Sequence, residues 1–181
     1  MQNVHNLKNK GFTLVELMIT IGIASVLLVL AAPNFRAIIQ NNQMVSQINE
    51  LQASLNLARS EAIKRNASVT LCETKTGTGC GGHTSHWHHG WMVFVDNDSD
   101  GVVDDGETVL RVHNQLSGKK TKLIFDKTRV MYASSGITRS NSDGTFVLCD
   151  KRGTASVRGL KIGPTGRPRL TTAEDDLECA K

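Results

Sequence analysis

Hydrophobicity along this chain changes period twice. Residues 12–32 read FTLVELMITIGIASVLLVLAA, an apolar run whose single charge is Glu16. A run of that length matches a bilayer crossed as a helix. After Pro33 the apolar positions thin to Phe35, Ile38, Val45, Ile48, Leu51, Leu55, Ala58 and Ala62, while Gln40, Asn41, Asn42, Gln47, Arg59 and Lys64 fall opposite. Intervals of three, four or seven describe one face of a helix. The pattern predicts one long helix whose second half lays an apolar stripe on a globular body. Pro33 is expected to bend it, because the ring removes a hydrogen bond and crowds the preceding turn. Beyond Asn66 the period shortens to that of strands: SVTLC, GWMVFVD, ETVLRVH, TKLIF, GTFVLC and GLKIG, separated by Gly, Asn, Asp and Ser. The expected class is α+β, a long N-terminal helix packed on an antiparallel sheet. TKTGTGCGGHTSHWHHG, poor in apolar residues, reads as a mobile loop.

Charge and the start of the chain refine this picture. MQNVHNLKNKG carries Lys8 and Lys10 and no acid, which holds such a leader on the cytoplasmic side. A secretory signal has a shorter apolar core followed by a small-residue cut site. Here the distinctive junction, KGFTLVELM, precedes the apolar run. GFTLVEL resembles the processing site of type IV pilins and of the pseudopilins of type II secretion. The resemblance implies cleavage after Gly11 by a membrane-embedded prepilin peptidase and methylation of the new N-terminus at Phe12. It also implies that Glu16, fifth after the cut, pairs with the N-terminal amine of a neighbouring subunit during filament assembly. A carboxylate in hydrocarbon costs about 2.5–3.5 kcal/mol on insertion scales, so its presence is itself a functional signal. The expected divisions are a leader 1–11, a membrane-spanning half-helix 12–33, an amphipathic half-helix 34–66 and a β-rich domain 67–181 ending in a basic loop. Major and minor pilins are the implied partners. The implied location is the inner membrane, crossed once before assembly, and then a pilus running from periplasm to cell surface.

A second resemblance lies in GWMVFVDNDSDGVVDDGETVLR: a Gly-Trp strand, an acidic loop, then a strand opening with Glu and closing in Leu-Arg. It is similar to the FimT/GspH branch of minor pilins and minor pseudopilins. Within it Asp96, Asp98, Asp100, Asp104 and Glu107, with Gly101, fit the D-x-[DN]-x-[DN]-G-x5-E spacing of a calcium loop. Helices flank that loop in EF-hands, whereas strands are expected here, and two strands joined by an Asp/Asn/Gly turn produce the same letters. No metal is assigned on this reading. His83, His86, His88 and His89 beside Cys80 are zinc-type ligands, but HTSHWHH matches no structural zinc spacing. Cys72, Cys80, Cys149 and Cys179 lie in a domain expected in an oxidising compartment, where disulfides persist. Three pairings are open. Cys72–Cys80 with Cys149–Cys179 is preferred, because it staples the glycine-rich loop and ties the tail to a strand. No nucleophile elbow, Ser-His-Asp order or phosphate loop is present, so neither an enzyme nor a cofactor is expected.

The formal net charge of +4 conceals a partition. Residues 91–110 hold six acids and no Lys or Arg, whereas residues 111–169 hold thirteen Lys and Arg against three Asp. A basic stretch of that size is the electrostatic footprint of a polyanion. At its end lies GPTGRPRL, residues 163–170. Arg167 and Arg169, two apart, share one side of an extended backbone, and Pro168 restricts both itself and Arg167. Gly163 and Gly166 permit a sharp turn and are expected to leave room for a phosphate, which guanidiniums grip in bidentate fashion. GRPR resembles the Gly-Arg-x-Arg element of FimT members that take part in natural transformation. The sequence reading is therefore a minor type IV pilin binding DNA through its backbone at Arg167, Arg169 and Gly166, with Arg158, Lys161, Lys151 and Arg152 as auxiliaries. A GspH-like pseudopilin of type II secretion, a structural pilin that primes assembly, and a calcium-stabilised adhesin subunit are the alternatives.

Overall fold

Thr13 opens the one α-helix among the described residues. Its hydroxyl accepts the backbone N–H of Glu16 at 3.2 Å, and a Thr-x-x-Glu start of this kind caps a helix while setting a carboxylate against its positive end. The computed structural model describes residues 11–118, 120–139, 141–171 and 179, without the side chains of residues 30–34 and 155. Residues 1–10 of the expected leader lie outside it. Helix α1, Leu14–Arg65, continues through Pro33. It closes on Asn66 in the left-handed region at φ 52°, with Asn66 and Ala67 N–H groups donating to the carbonyls of Ile63 and Ala62, a Schellman cap.

The chain divides into two compact units, 1–40 and 41–181. In the first, every large apolar side chain described from Phe12 to Val29 is exposed. Among the described residues no helix is long and apolar enough to cross a membrane; the apolar run of the sequence extends into residues 30–34, whose side chains are not described.

In the second unit the stripe of α1 that enters the core is Met44, Ile48, Leu51, Leu55, Ala58 and Ala62, each at most 2% exposed. The stripe is thus set by Met44; Val45 is exposed. Two positions expected on the polar face are instead packed. Gln47 is buried and donates to the Ser117 carbonyl, and Arg59 Nε donates to the Gly136 carbonyl at 2.9 Å.

The body contains two antiparallel sheets where one was expected. The first runs in the order β3 (Val109–His113), β2 (Trp91–Val95), β1 (Val69–Glu73), β5 (Arg129–Tyr132). The second runs β4 (Lys122–Ile124), β6 (Gly144–Cys149), β7 (Arg158–Ile162), β8 (Pro168–Thr171). β1 and β2 are buried at every position, so both their faces are covered and their apolar runs do not alternate. β5 and β8 are strands that the hydrophobic pattern does not predict.

The glycine-rich segment is also better fastened than its composition suggests. Trp87 is fully buried, donates its indole N–H to the Lys127 carbonyl at 3.0 Å, and meets Phe146 and Phe125 edge-on at 4.9 and 5.8 Å between centroids. Cys72 is bonded to Cys80 and Cys149 to Cys179. Buried Glu73 accepts the His83 N–H at 3.1 Å.

Candidate nucleic-acid interface

The β7–β8 hairpin is built on a turn in which Gly166 N–H donates to the Gly163 carbonyl at 2.9 Å. Pro164 supplies its preset φ at the first corner, and Gly166 takes the left-handed conformation at φ 74° that closes such a loop. Thr138, in the loop after β5, holds the turn down: its N–H and hydroxyl donate to the Pro164 carbonyl at 3.2 and 3.1 Å. Gly166 itself is buried. A Cβ there would strike the Gly136 carbonyl and stand 3.0 Å from the Tyr132 ring. The glycine therefore serves the seating of the turn against β5, not the approach of a phosphate, which corrects the role expected for it. Arg59 of α1 donates to that same Gly136 carbonyl.

Past this anchored turn, Arg167 and Arg169 are both exposed and enter no ion pair or side-chain hydrogen bond among the described residues. The register sets Lys161 of β7 directly opposite Arg169, and Thr145 of β6 opposite Lys161. Phe146, Leu148, Leu160 and Ile162 point to the core. By strand alternation, Lys161 and Arg169 then lie together on the outer face of the sheet, and both are exposed. Residues directly opposite in an antiparallel pair have Cβ atoms about 4.5–5.5 Å apart, and like charges so placed destabilise the pair. This arrangement becomes favourable when an anion lies across it.

Two of the expected auxiliaries do not join the cluster. Arg152 is locked onto Asp150, with its Nη2 and Nε 2.7 and 2.8 Å from the carboxylate, and its Nη1 donates to Asn41 at 2.8 Å. Burial pushes the Asp150 carboxyl up, but the Arg152 hydrogen bonds outweigh this and hold it below the usual carboxylate range. Arg158 pairs with Leu148 at the core-facing parity of β7 and is half-buried. Lys151 is exposed beside the Gly153–Ser156 3-10 turn. Arg139, to which no motif in the sequence points, is exposed immediately after the Thr138 that clamps the turn.

The other expected sites are placed as follows. Phe12, just ahead of α1, and Glu16, in its first turn, are both exposed. The rings of His83, His86, His88 and His89 cluster at centroid distances of 4.4–6.2 Å, but the groups of three ligand atoms that come within 4.8 Å of one another among the described residues are carboxylates. Those carboxylates belong to the β2–β3 loop.

A long helix opened by the GFTLVE junction, whose second half packs into a core with antiparallel sheets, defines a type IV pilin-like subunit. Residues 6–32 match the prokaryotic N-terminal methylation motif, and residues 47–166 match the family described as Type II transport protein GspH. Pilin-like protein PilA1 of Thermus thermophilus is 30% identical over 169 residues, which are 89% of this chain and 97% of that protein. Two crystal forms of the type IV minor pilin FimU of Pseudomonas aeruginosa PAO1 share the fold, with TM-scores of 0.58 and 0.53. Both are 23% identical and cover 75% and 71% of this chain and 92% and 93% of FimU. The chain belongs to the GspH family of type IV minor pilins and pseudopilins, a family of structural subunits.

Proposed function

We propose that this minor pilin binds DNA outside the cytoplasm through the outer face of the β7–β8 hairpin and works in DNA uptake during natural transformation. The reading is carried by one observation: Arg167, Arg169 and Lys161 are exposed together on a pinned hairpin, without a carboxylate partner among the described residues. Guanidiniums held in place lose little freedom on gripping a phosphate, and contacts of this kind carry no base preference. After peptidase cleavage at Gly11, the apolar half of α1 anchors the subunit in the inner membrane. There Glu16 meets the N-terminal amine of a neighbouring pilin, which draws the subunit into the filament, and filament retraction then carries the DNA inward.

The test is a mobility-shift titration of duplex DNA against the wild type and the Arg167→Gln, Arg169→Gln double variant, together with transformation frequency in cells carrying each. Loss of both DNA affinity and transformation is expected. Equal affinity for the two proteins would sink the proposal and favour the pseudopilin of type II secretion, the reading to which membership of the Type II transport protein GspH family lends support.

A further inference from the structure

The geometry points to a second site in this molecule: the β2–β3 loop, residues 96–107, holds a calcium ion. Asp96, which follows β2, is 0% exposed. Burying a carboxylate is costly unless a cation or a full set of donors compensates. Its Oδ2 is satisfied by the Thr70 hydroxyl at 2.5 Å and the Gly101 N–H at 3.1 Å. Its Oδ1 is buried without a hydrogen-bond partner, and no Lys or Arg pairs with the group among the described residues. The space around Asp96 is instead lined with more carboxylate. One oxygen each from Asp96, Asp98 and Glu107 lie within 4.8 Å of one another, as do oxygens of Asp98, Asp100 and Asp104. Two ligands each about 2.4 Å from the same calcium ion can be at most about 4.8 Å apart. Both triads satisfy that limit, and they share Asp98.

The backbone supports the same reading. The five acids occupy positions one, three, five, nine and twelve of a twelve-residue loop whose sixth residue is Gly101, at φ 76°. That is the order in which the EF-hand loop presents oxygen ligands around its sharp turn. Flanking strands replace the flanking helices, so the flanking elements, which argue against a metal in the sequence, do not decide the matter. The orphaned buried oxygen does. Without a cation the converging carboxylates of the loop face one another with no opposite charge between them. The donor set is oxygen throughout, which excludes a zinc-type preference, and an anion-rich protein cage with many carboxylates suits calcium better than magnesium. An ion here would stiffen one end of the first sheet. The loop is already tied to the entrance of β1 by the Ser99 to Ser68 hydroxyl bond at 2.7 Å, and to β5 by Arg129, which donates to the Asp100 carbonyl at 2.6 Å.

The experiment uses the full chain in detergent, stripped with a chelator and then titrated with calcium chloride or magnesium chloride by calorimetry, with thermal unfolding in parallel. One calcium per chain is expected, with Kd on the order of 10⁻⁴ M as in extracellular calcium modules, a calcium-dependent rise in Tm, and little response to magnesium. Asp98→Asn, an exposed substitution common to both triads, is expected to weaken calcium binding at least tenfold while leaving the chelator-treated Tm unchanged or higher. No binding at about 10 mM calcium, well above the weakest such modules, overturns the assignment. So does a calcium affinity that Asp98→Asn leaves unaltered.

Discussion

The sharpest test of the hairpin is how its DNA affinity responds to salt. Each phosphate neutralised on duplex DNA releases condensed counterions, so log K falls with log salt at about −0.9 per contact. The structure leaves three cations at the hairpin face, Arg167, Arg169 and Lys161, and removes Arg152, which Asp150 already neutralises. Three contacts give a slope of about −2.7, so raising salt from about 50 to about 200 mM should weaken binding about 40-fold. With both arginines changed to Gln, Lys161 alone gives a slope of about −0.9 and a loss of about 3.5-fold over the same range. Fluorescence anisotropy on a labelled duplex, repeated at five or so salt concentrations on either side of about 100 mM, measures both slopes. Repeating it with a second duplex of unrelated sequence should change neither. Parallel lines for the two proteins would refute the reasoning even if the absolute affinities differed, since a folding defect lowers affinity without removing phosphate contacts. A steep wild-type slope that Lys161→Gln fails to reduce would remove the register argument.

Other outcomes follow from the same fold. Gly166→Ala places a side chain at φ 74° and against the Gly136 carbonyl; denaturant unfolding should show a loss of at least about 1–2 kcal/mol, with weaker DNA binding because the turn loses its seat. His88 has its pKa lowered by burial and then by the neighbouring charges of His89 and His86. The unfolded chain therefore takes up the proton first, and stability should fall as pH drops below the ordinary histidine value of about 6.5 while staying flat above it. His88→Gln should flatten that part of the melting-temperature profile. Removing Cys149–Cys179, with a sequence separation of 30, frees the unfolded chain by about 3.6 kcal/mol, against about 2.5 kcal/mol for Cys72–Cys80 with a separation of 8. Paired Cys→Ala variants compared by denaturation should rank in that order.

What the sequence revealed and what it hid have separate physical causes. From Ile48 to Ala62 the apolar stripe of α1 was legible because a helix repeats its contacts locally; Met44 in place of Val45 is a rotation of a single residue, while the packing of Gln47 and Arg59 depends on carbonyls far along the chain. β8 was hidden because Pro in a short basic run argues against a strand, yet Pro168 stands at the first position of an edge strand, where no ladder donor is needed. Trp87 was lost in a stretch of Gly and His. Composition cannot show that one indole in a polar segment closes a core against Phe125 and Phe146. At the hairpin, the two-residue spacing of Arg167 and Arg169 was visible in the sequence, and both side chains are exposed. The facing of Lys161, the clamp from Thr138 and the hold of Arg59 on Gly136 depend on pairings made across the fold, 77 residues apart in the last case. The neutralisation of Arg152 was different: its partner Asp150 lies two residues away, and charge counted over a window does not reveal which pairs are local.

The fold assembles like charges in two places, and the same reasoning applies to both. Lys161 opposite Arg169 on the second sheet, and Asp96 among Asp98 and Glu107 at the end of the first, are each unfavourable as bare electrostatics. A surface serving only solubility interleaves the two signs, as Glu61 does with Lys64 and Arg65 at the end of α1. Where the backbone instead fixes equal charges side by side, beside a pinned glycine turn or a buried carboxylate, a counter-ion is what both proposals supply. The spacing of the charged groups then distinguishes the two ions. Exposed guanidiniums beside an edge strand suit a long polyanion, whereas carboxylate oxygens converging within about two calcium–oxygen distances of one another, one of them from a buried residue, suit a small hard cation.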